Sequence, residues 1–443
     1  MPNQPQPSEA SVQPRREFLK STLVSAGAAG MGASAGLSVA RGANVGGSDK
    51  IRIGMVGCGG RCTGAAADVM TADSATQLVA MADLFDERVK SKRDSLKAKF
   101  PNQVSVDDDH CFVGLDGYQH VIENVDLVLI ACAAKFHPMY AKAAIDAGKH
   151  VFLEKPHGID PAGVKVVEET CEIAKQKNLG VLSGLHSRYH QKYRETIDRV
   201  LDGQIGEIVS IEENFLRGPY GNIARSQEQR ELEIQYGNQY RFSWLCGDDV
   251  TQSLIHNLDR ATWALGGATP VDCHGLGGRS GPDHLLGDVF DHHSVVYRYE
   301  NGVRVYALCR TTSGCYGEST STIMGSKGIA VPTQGIIRGN NEWRYSGPGG
   351  SPYVAEQAAF LKSIRASNPI NSGDYMVKSN TIAVMGQMSC YSGKEVRWDQ
   401  IKQSDFRWGP RPEDCTWDMQ PPTQPDSNGV YPVCAQPGTT TTI

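Results

Sequence analysis

The stretch Ile51-Arg52-Ile53-Gly54-Met55-Val56-Gly57-Cys58-Gly59-Gly60-Arg61-Cys62 decides the fold. Its first six residues have strand character, and the glycines follow with no linker between. A run of small residues at 65–70 then reads as a helix. In such a strand–turn–helix, Gly57 makes the tight turn and Gly59 lets the main chain approach a pyrophosphate. Cys62 stands where the third glycine of G-x-G-x-x-G is expected. Unpaired N–H groups and the dipole at the helix start favour an anion there. A second strand, 77–82, ends in Asp83. A carboxylate about 20 residues past the glycines suits the ribose 2′-hydroxyl of an adenosine and repels a 2′-phosphate. The expected cofactor is therefore NAD rather than NADP, with Arg88 nearby as a countervailing charge.

Further out, 125–131 is apolar nearly throughout and reads as a buried parallel strand. A helix at 139–147 stops at Gly148, and a strand at 149–153 delivers Glu154-Lys155-Pro156. Ligands of open α/β sheets bind beyond the carboxyl ends of strands. The expected cofactor-binding set is thus Gly57, Gly59, Gly60, Arg61, Asp83, His137, Glu154 and Lys155. Beyond Gly184, strand-like runs at 208–215, 294–299, 303–309 and 319–324 alternate in polarity. Helical spacing predicts helices over 353–367 and 376–391, with Met385 and Met388 in the core.

The chain has 443 residues, 40% of them hydrophobic, which points to more than one domain with real cores. Lys+Arg number 44 against Asp+Glu 49, so no basic excess exists for a phosphate backbone, and nucleic acid is not expected as a partner. Twelve cysteines are too few for a disulfide scaffold. Near the start, Pro14-Arg15-Arg16-Glu17-Phe18-Leu19-Lys20 precedes a mild apolar stretch ending in Ser38-Val39-Ala40. This resembles a twin-arginine signal, too polar and small for a membrane anchor. A periplasmic or otherwise exported protein is expected, with no membrane association after cleavage. Because that route carries folded proteins, a tightly held cofactor is expected too.

These residues resemble the glucose–fructose oxidoreductase / inositol dehydrogenase / rhizopine-catabolism (Gfo/Idh/MocA) family, in its exported twin-arginine subgroup. The resemblance rests on Gly57–Arg61, Asp83 and above all the run from Ala147 to Glu154-Lys155-Pro156. Gly247-Asp248, His256-Asn257-Leu258-Asp259 and Gly325-Ser326-Lys327-Gly328 add to it. It implies an α/β fold: an N-terminal Rossmann dinucleotide-binding domain and a C-terminal α/β domain with a large open, mainly antiparallel sheet. The boundaries follow as a signal at 1–40, the Rossmann domain at 49–184, a substrate and oligomerisation domain at 185–404, and an extended tail at 405–443. Substrate binds one face of the open sheet in this family, and subunits pair on the other, so a dimer or tetramer is implied. The Lys155–Pro156 bond is expected to be cis.

Lys155 and His256 are the expected catalytic pair. A lysine beside a nicotinamide can bind the reacting hydroxyl, and an imidazole titrates where it can take that hydroxyl's proton. Asp259, one helical turn beyond His256, is expected to orient it or bind substrate. Arg188 is the expected contact for substrate hydroxyls, and Trp244 either stacks on a sugar face or lies in the core. Many relatives place an aspartate four residues before the histidine, where this chain has Gln252. His292 and His293 alternate across a strand and cannot easily share an ion, so no metal is expected. Cys415 and Cys434 in the tail are a possible disulfide in an oxidising compartment.

The resemblance implies an exported NAD(P)-dependent oxidoreductase acting on a sugar, sugar acid or cyclitol hydroxyl, its cofactor recycled in place. The first alternative is an NAD-dependent glycosidase similar to glycoside hydrolase family 109, although 251–257 lacks that family's Tyr-Pro-Thr-His-Gly segment. The second is a redox-inactive sugar-binding protein.

Overall fold

Six parallel strands in the order 3-2-1-4-5-6 form the first sheet of the computed structural model. The structure describes residues 50–224, 228–281 and 286–442, so the leader read at 1–40 lies outside the described residues. The strands are β1 (Ile51–Val56), β2 (Thr76–Asp83), β3 (Cys111–Val113), β4 (Leu127–Ile130), β5 (His150–Leu153) and β6 (Val181–Ser183). Helices α1 (Gly60–Ala72), α2 (Asp86–Lys99), α3 (Gly117–Asn124), α4 (His137–Asp146) and α5 (Pro161–Gln176) connect them. All four residues of β4 are buried, as a central strand covered on both faces requires. Pro161 opens α5 with its φ preset, and the Asp160 carboxylate caps it by accepting from Gly163 N at 2.7 Å. Strand order reverses between β1 and β4, and the crevice at their carboxyl ends is where such folds bind ligands.

Past α6 (Gln191–Leu201) the chain builds a nine-stranded sheet. It begins with β7 (Ile208–Arg217), followed by α7 (Glu231–Gly237), α8 (Ser243–Cys246) and α9 (Ile255–Ala264). Strands β8 (Asp272–Gly278), β9 (His292–Arg298), β10 (Arg304–Thr311), β11 (Glu318–Gly325) and β12 (Gly328–Val331) form its body. Only β10 and β7 pair in parallel; the other pairings are antiparallel. One face is covered by α9 and by the long helix α11 (Gly373–Ser392), which follows α10 (Pro352–Arg365). Met385 and Met388 are fully buried in α11, as the helical spacing predicts. The other face is open, and Leu276, Tyr306 and Ile329 are 75%, 44% and 41% exposed on it.

The tail has almost no regular structure, yet it lies along its own chain. Trp408 N donates to Asp160 Oδ2 and Trp408 Nε1 to Ser243 Oγ, both at 2.9 Å. Cys434 N reaches Asp288 O at 2.8 Å, and Trp417 sets its edge against Phe85 and Tyr236. Of the two outcomes left open for Cys415 and Cys434, the structure has free thiols at both and no bridge. Their surroundings explain why: Cys415 lies near Lys135, whereas Cys434 sits against Tyr391 and Ser243. Among the described residues no helix is long and apolar enough to cross a membrane.

Candidate active site

Gly57 has φ +92°, and a Cβ there would stand 2.8 Å from the main chain of Cys132, so only glycine fits between β1 and β4. A Cβ on Gly59 or Gly60 would instead project into open space, the cradle a pyrophosphate would fill. No side chain caps α1, which leaves its first-turn N–H groups for an anion. Asp83 ends β2 with Oδ2 accepting from Cys58 N at 2.7 Å and Oδ1 from Phe85 N at 3.1 Å. The carboxylate is thus fixed in the crevice with lone pairs left for ribose hydroxyls. Val56, Gly57, Asp83, Phe85, Arg88 and Tyr118 line this cleft of about 620 Å³. These residues fit a dinucleotide. Arg88 Nη1 stands 3.9 Å from Asp83, with its guanidinium over Phe85, and so offers a positive charge at the same end.

Arg61 turns away from the phosphate cradle. Its Nε lies 2.7 Å from Glu154 Oε1, an ionic contact, and its guanidinium stacks on Tyr353. Glu154 and Arg61 therefore lock the start of α1 to the end of β5 rather than presenting charge to a ligand. His137 is fully buried, with Nδ1 donating to Pro156 O at 2.8 Å. Its Nε2 keeps a buried lone pair without a partner.

Lys155 follows β5, and the Lys155–Pro156 bond is cis. Its Nζ donates to Gln252 O at 2.6 Å. That carbonyl belongs to a π-helical turn, Val250–Leu254, which runs directly into α9 and His256. π turns break the i→i+4 ladder and recur at functional sites. The main chain of Gln252, not its side chain, thus anchors the lysine.

Four imidazoles surround Lys155 closely enough to feel its charge: His137, His157, His186 and His256. Burial comes first among the causes that push all four down, to about 4 for His137, to about 3 for His157 and His186, and well below the usual range for His256. All are neutral at pH 7. The His256 ring meets His186 edge to face at 4.9 Å, and its Nδ1 is buried without a partner. His186 in turn stacks on Tyr353 at 4.3 Å. His157 and His186 escape the sequence reading. The only available signal was their position, two residues past Lys155 and two before Arg188.

Three expected substrate contacts lie elsewhere. Arg188 makes a bidentate pair with Asp259, its Nη2 2.8 Å from Oδ1, and packs over Tyr375. Asp259 is fully buried and also accepts from Ser379 Oγ, so it holds Arg188 and does not orient His256. Trp244 is 2% exposed, with Nε1 donating to Gln235 Oε1 at 2.8 Å; it is core and offers no face to a sugar. Asp248 cannot stand in for the missing aspartate either, because its Oδ2 accepts from Phe290 N and Tyr391 OH. His292 is exposed and His293 buried on β9, and no group of metal-ligating side chains exists among the described residues.

Residues 51–184 match the profile of an oxidoreductase family with an NAD-binding Rossmann fold, Gfo/Idh/MocA. The chain is 29% identical over 331 residues to a myo-inositol 2-dehydrogenase of Thermotoga maritima, covering 72% of this chain and 90% of the relative. It is 28% identical over 171 residues to a glycosyl hydrolase family 109 protein of Bacteroides fragilis, covering 38% and 35%. The chain spans 47% of a dTDP-3,4-didehydro-2,6-dideoxy-alpha-D-glucose 3-reductase of Actinomadura kijaniata, to which it is 26% identical over 174 residues, so it covers less than half the length of that relative and of the family 109 protein. A crystal structure of an oxidoreductase from Thermotoga maritima superimposes with a TM-score of 0.62 at 18% identity, covering 80% of this chain and 99% of the other. The sheet order, the glycine cradle and the profile match agree: residues 51–184 are similar to the NAD-binding Rossmann fold of the Gfo/Idh/MocA oxidoreductase family.

Proposed function

We propose that the protein is an NAD-dependent oxidoreductase acting on a hydroxyl of a sugar, sugar acid or cyclitol. The observation that carries this reading is Lys155, anchored at the carboxyl end of β5 and ringed by four neutral histidines beyond the glycine cradle. When bound, NAD supplies the hydride acceptor. One of the three Nζ donors of Lys155 is spent on Gln252 O, and two remain to hold a substrate hydroxyl. A donated hydrogen bond stabilises the alkoxide that develops there. His256, neutral and with a buried lone pair, accepts the proton as the carbinol carbon loses hydride. Burial of the site keeps water from competing. Asp83 favours NAD over NADP, with Arg88 moderating the preference.

We read the 14–40 leader as a twin-arginine signal and place the protein outside the cytoplasm. Free NAD is scarce there, so the cofactor is held and both reduced and reoxidised in place. The open sheet face, with exposed Leu276, Tyr306 and Ile329, supports pairing with a second copy. The test is to purify the exported form, denature a portion, and assay the supernatant for nicotinamide. The native portion is then incubated with sugars, inositols and aryl glycosides while absorbance of reduced cofactor is followed. Cofactor reduction by a free sugar or inositol supports the reading, and absence of any bound or bindable nicotinamide overturns it. A redox-neutral glycosidase is the second reading, favoured by the match to family 109. Release of aglycone without net reduction identifies it.

A further inference from the structure

Beside the anchor of Lys155 lies a second, smaller pocket that opens to solvent, lined by Arg217, Tyr220, Tyr240, Arg241, Asp249 and Gln252 among others. Gln252 belongs to both places, since its carbonyl holds Lys155 Nζ. Whatever fills this pocket therefore touches the residue whose carbonyl anchors Lys155.

The charges around it are unequally used. Arg217 Nη2 pairs with Asp249 Oδ1 at 2.7 Å and donates to Ser253 Oγ at 3.0 Å. Asp248 also borders the cavity, but Asp249 N, Phe290 N and Tyr391 OH occupy its oxygens. Arg241 has no such partner. It donates from Nε to Asn222 Oδ1 at 2.6 Å and from Nη2 to Tyr220 O, both neutral acceptors. Among the described residues no carboxylate pairs with Arg241 or with nearby Arg279, which donates to Gly287 O. Burial, then the charges of Arg217 and Arg279, press on the Arg241 cation. A half-buried guanidinium crowded by two others is relieved by an anion. Two other features suit a sugar. Tyr220 and Tyr240 stack at 4.2 Å, and Arg217 covers the other face of Tyr220 at 3.8 Å, so a rigid stack borders the pocket. Asp249 Oδ2 is buried with no hydrogen-bond partner, an acceptor waiting for a donor such as a ring hydroxyl.

We propose that this pocket selects an acidic sugar, with Arg241 taking the carboxylate, the Tyr220–Tyr240 stack bordering the site, and Asp249 Oδ2 accepting a hydroxyl. The assignment rests on the oxidoreductase reading only for what happens at Lys155. The substrate class is a uronic or aldonic acid, and neutral sugars and inositols are the poorer ligands.

The test uses the purified holoprotein and two probes of the same shape, D-glucuronate and its neutral amide, D-glucuronamide. Calorimetry measures binding, and cofactor reduction measures turnover. Glucuronate should bind roughly tenfold or more tightly than the amide at low salt, with the ratio shrinking as salt is raised. Arg241→Gln should bring that ratio close to one, and Arg241→Lys should restore part of it. Content of bound nicotinamide and the melting temperature verify that each variant is folded. Equal affinity for the two probes in the native protein overturns the proposal, as does a ratio that Arg241→Gln leaves unchanged. Glucuronate binding that depends on Arg241 without any cofactor reduction supports the acid site and counts against the oxidoreductase reading instead.

Discussion

The two ends of the crevice are made from different materials. The phosphate end is main chain: Gly57 in a left-handed turn, bare Gly59 and Gly60, and uncapped N–H groups at the start of α1. The hydroxyl end is side chain, with His157, His186 and His256 brought from three stretches of sequence to within reach of the charge of Lys155, which the Gln252 carbonyl holds. Main-chain sites tolerate changes of residue but not of backbone angle. Side-chain sites behave the other way round.

The sharpest way to break that comparison is at Lys155. Lys155→Met should lower kcat/KM by about a thousandfold, within the usual range for a lost acid–base group, while bound nicotinamide persists. Loss of the cofactor with the lysine would mean that the two ends are one site. Gly57→Ala comes next. A Cβ 2.8 Å from the Cys132 main chain, at φ +92°, should cost about 1–3 kcal/mol and be read as a lower melting temperature with weakened cofactor binding. Asp83→Asn should weaken NAD about tenfold and narrow its advantage over NADP, measured by titrating both cofactors.

The phosphate end was legible because its parts are contiguous: strand, glycines and helix follow one another, and the acid comes at a fixed distance. Four of the six parallel strands could be read from apolar runs for the same reason, whereas β3 and β6, three residues each, are too short to show such a run. The hydroxyl end resisted because its pairings are long-range. Arg188 and Asp259 are 71 residues apart, and nothing in either segment announces that they neutralise each other. Trp244 could be read as core or as a sugar platform, and what decides is that its indole N–H finds Gln235 nine residues back, so the ring can be buried. Gln252 drew attention for its side chain, whereas its carbonyl is what matters, and residue identity does not encode that.

The same contrast sets the response to pH. The buried imidazoles have lowered pKa values, so the unfolded chain takes up their protons first as pH falls below about 6.5. Their contribution is complete above that value and is lost on acidification toward about 4 and then 3. Glu213, under α9, and Asp288, accepting from Ser243, are pushed up by burial to about 8 and about 7. They hold protons that the unfolded chain has already released, so their contribution falls as pH rises through those values. Between pH 6.5 and 8 these two carboxyls operate, and melting temperature should decline. Glu213→Gln should flatten that decline in thermal melts across the window, and an unchanged slope removes Glu213 from the account.

The smallest expected effect is at Gln252. Gln252→Ala keeps the carbonyl that holds Lys155, so steady-state kcat should change by no more than about threefold, well short of an acid–base loss. A collapse of kcat would show that the side chain carries more than the geometry gives it.

The tail has a consequence in time as well as in space. Trp417 packs its edge on Phe85, which lines the Asp83 end of the crevice, and Trp408 ties the same segment to Asp160 and Ser243. More than three hundred residues separate Phe85 from Trp417 in order of synthesis. The packing behind Phe85 is therefore completed only once residue 417 has been synthesised, so the Asp83 end of the crevice gains this support late.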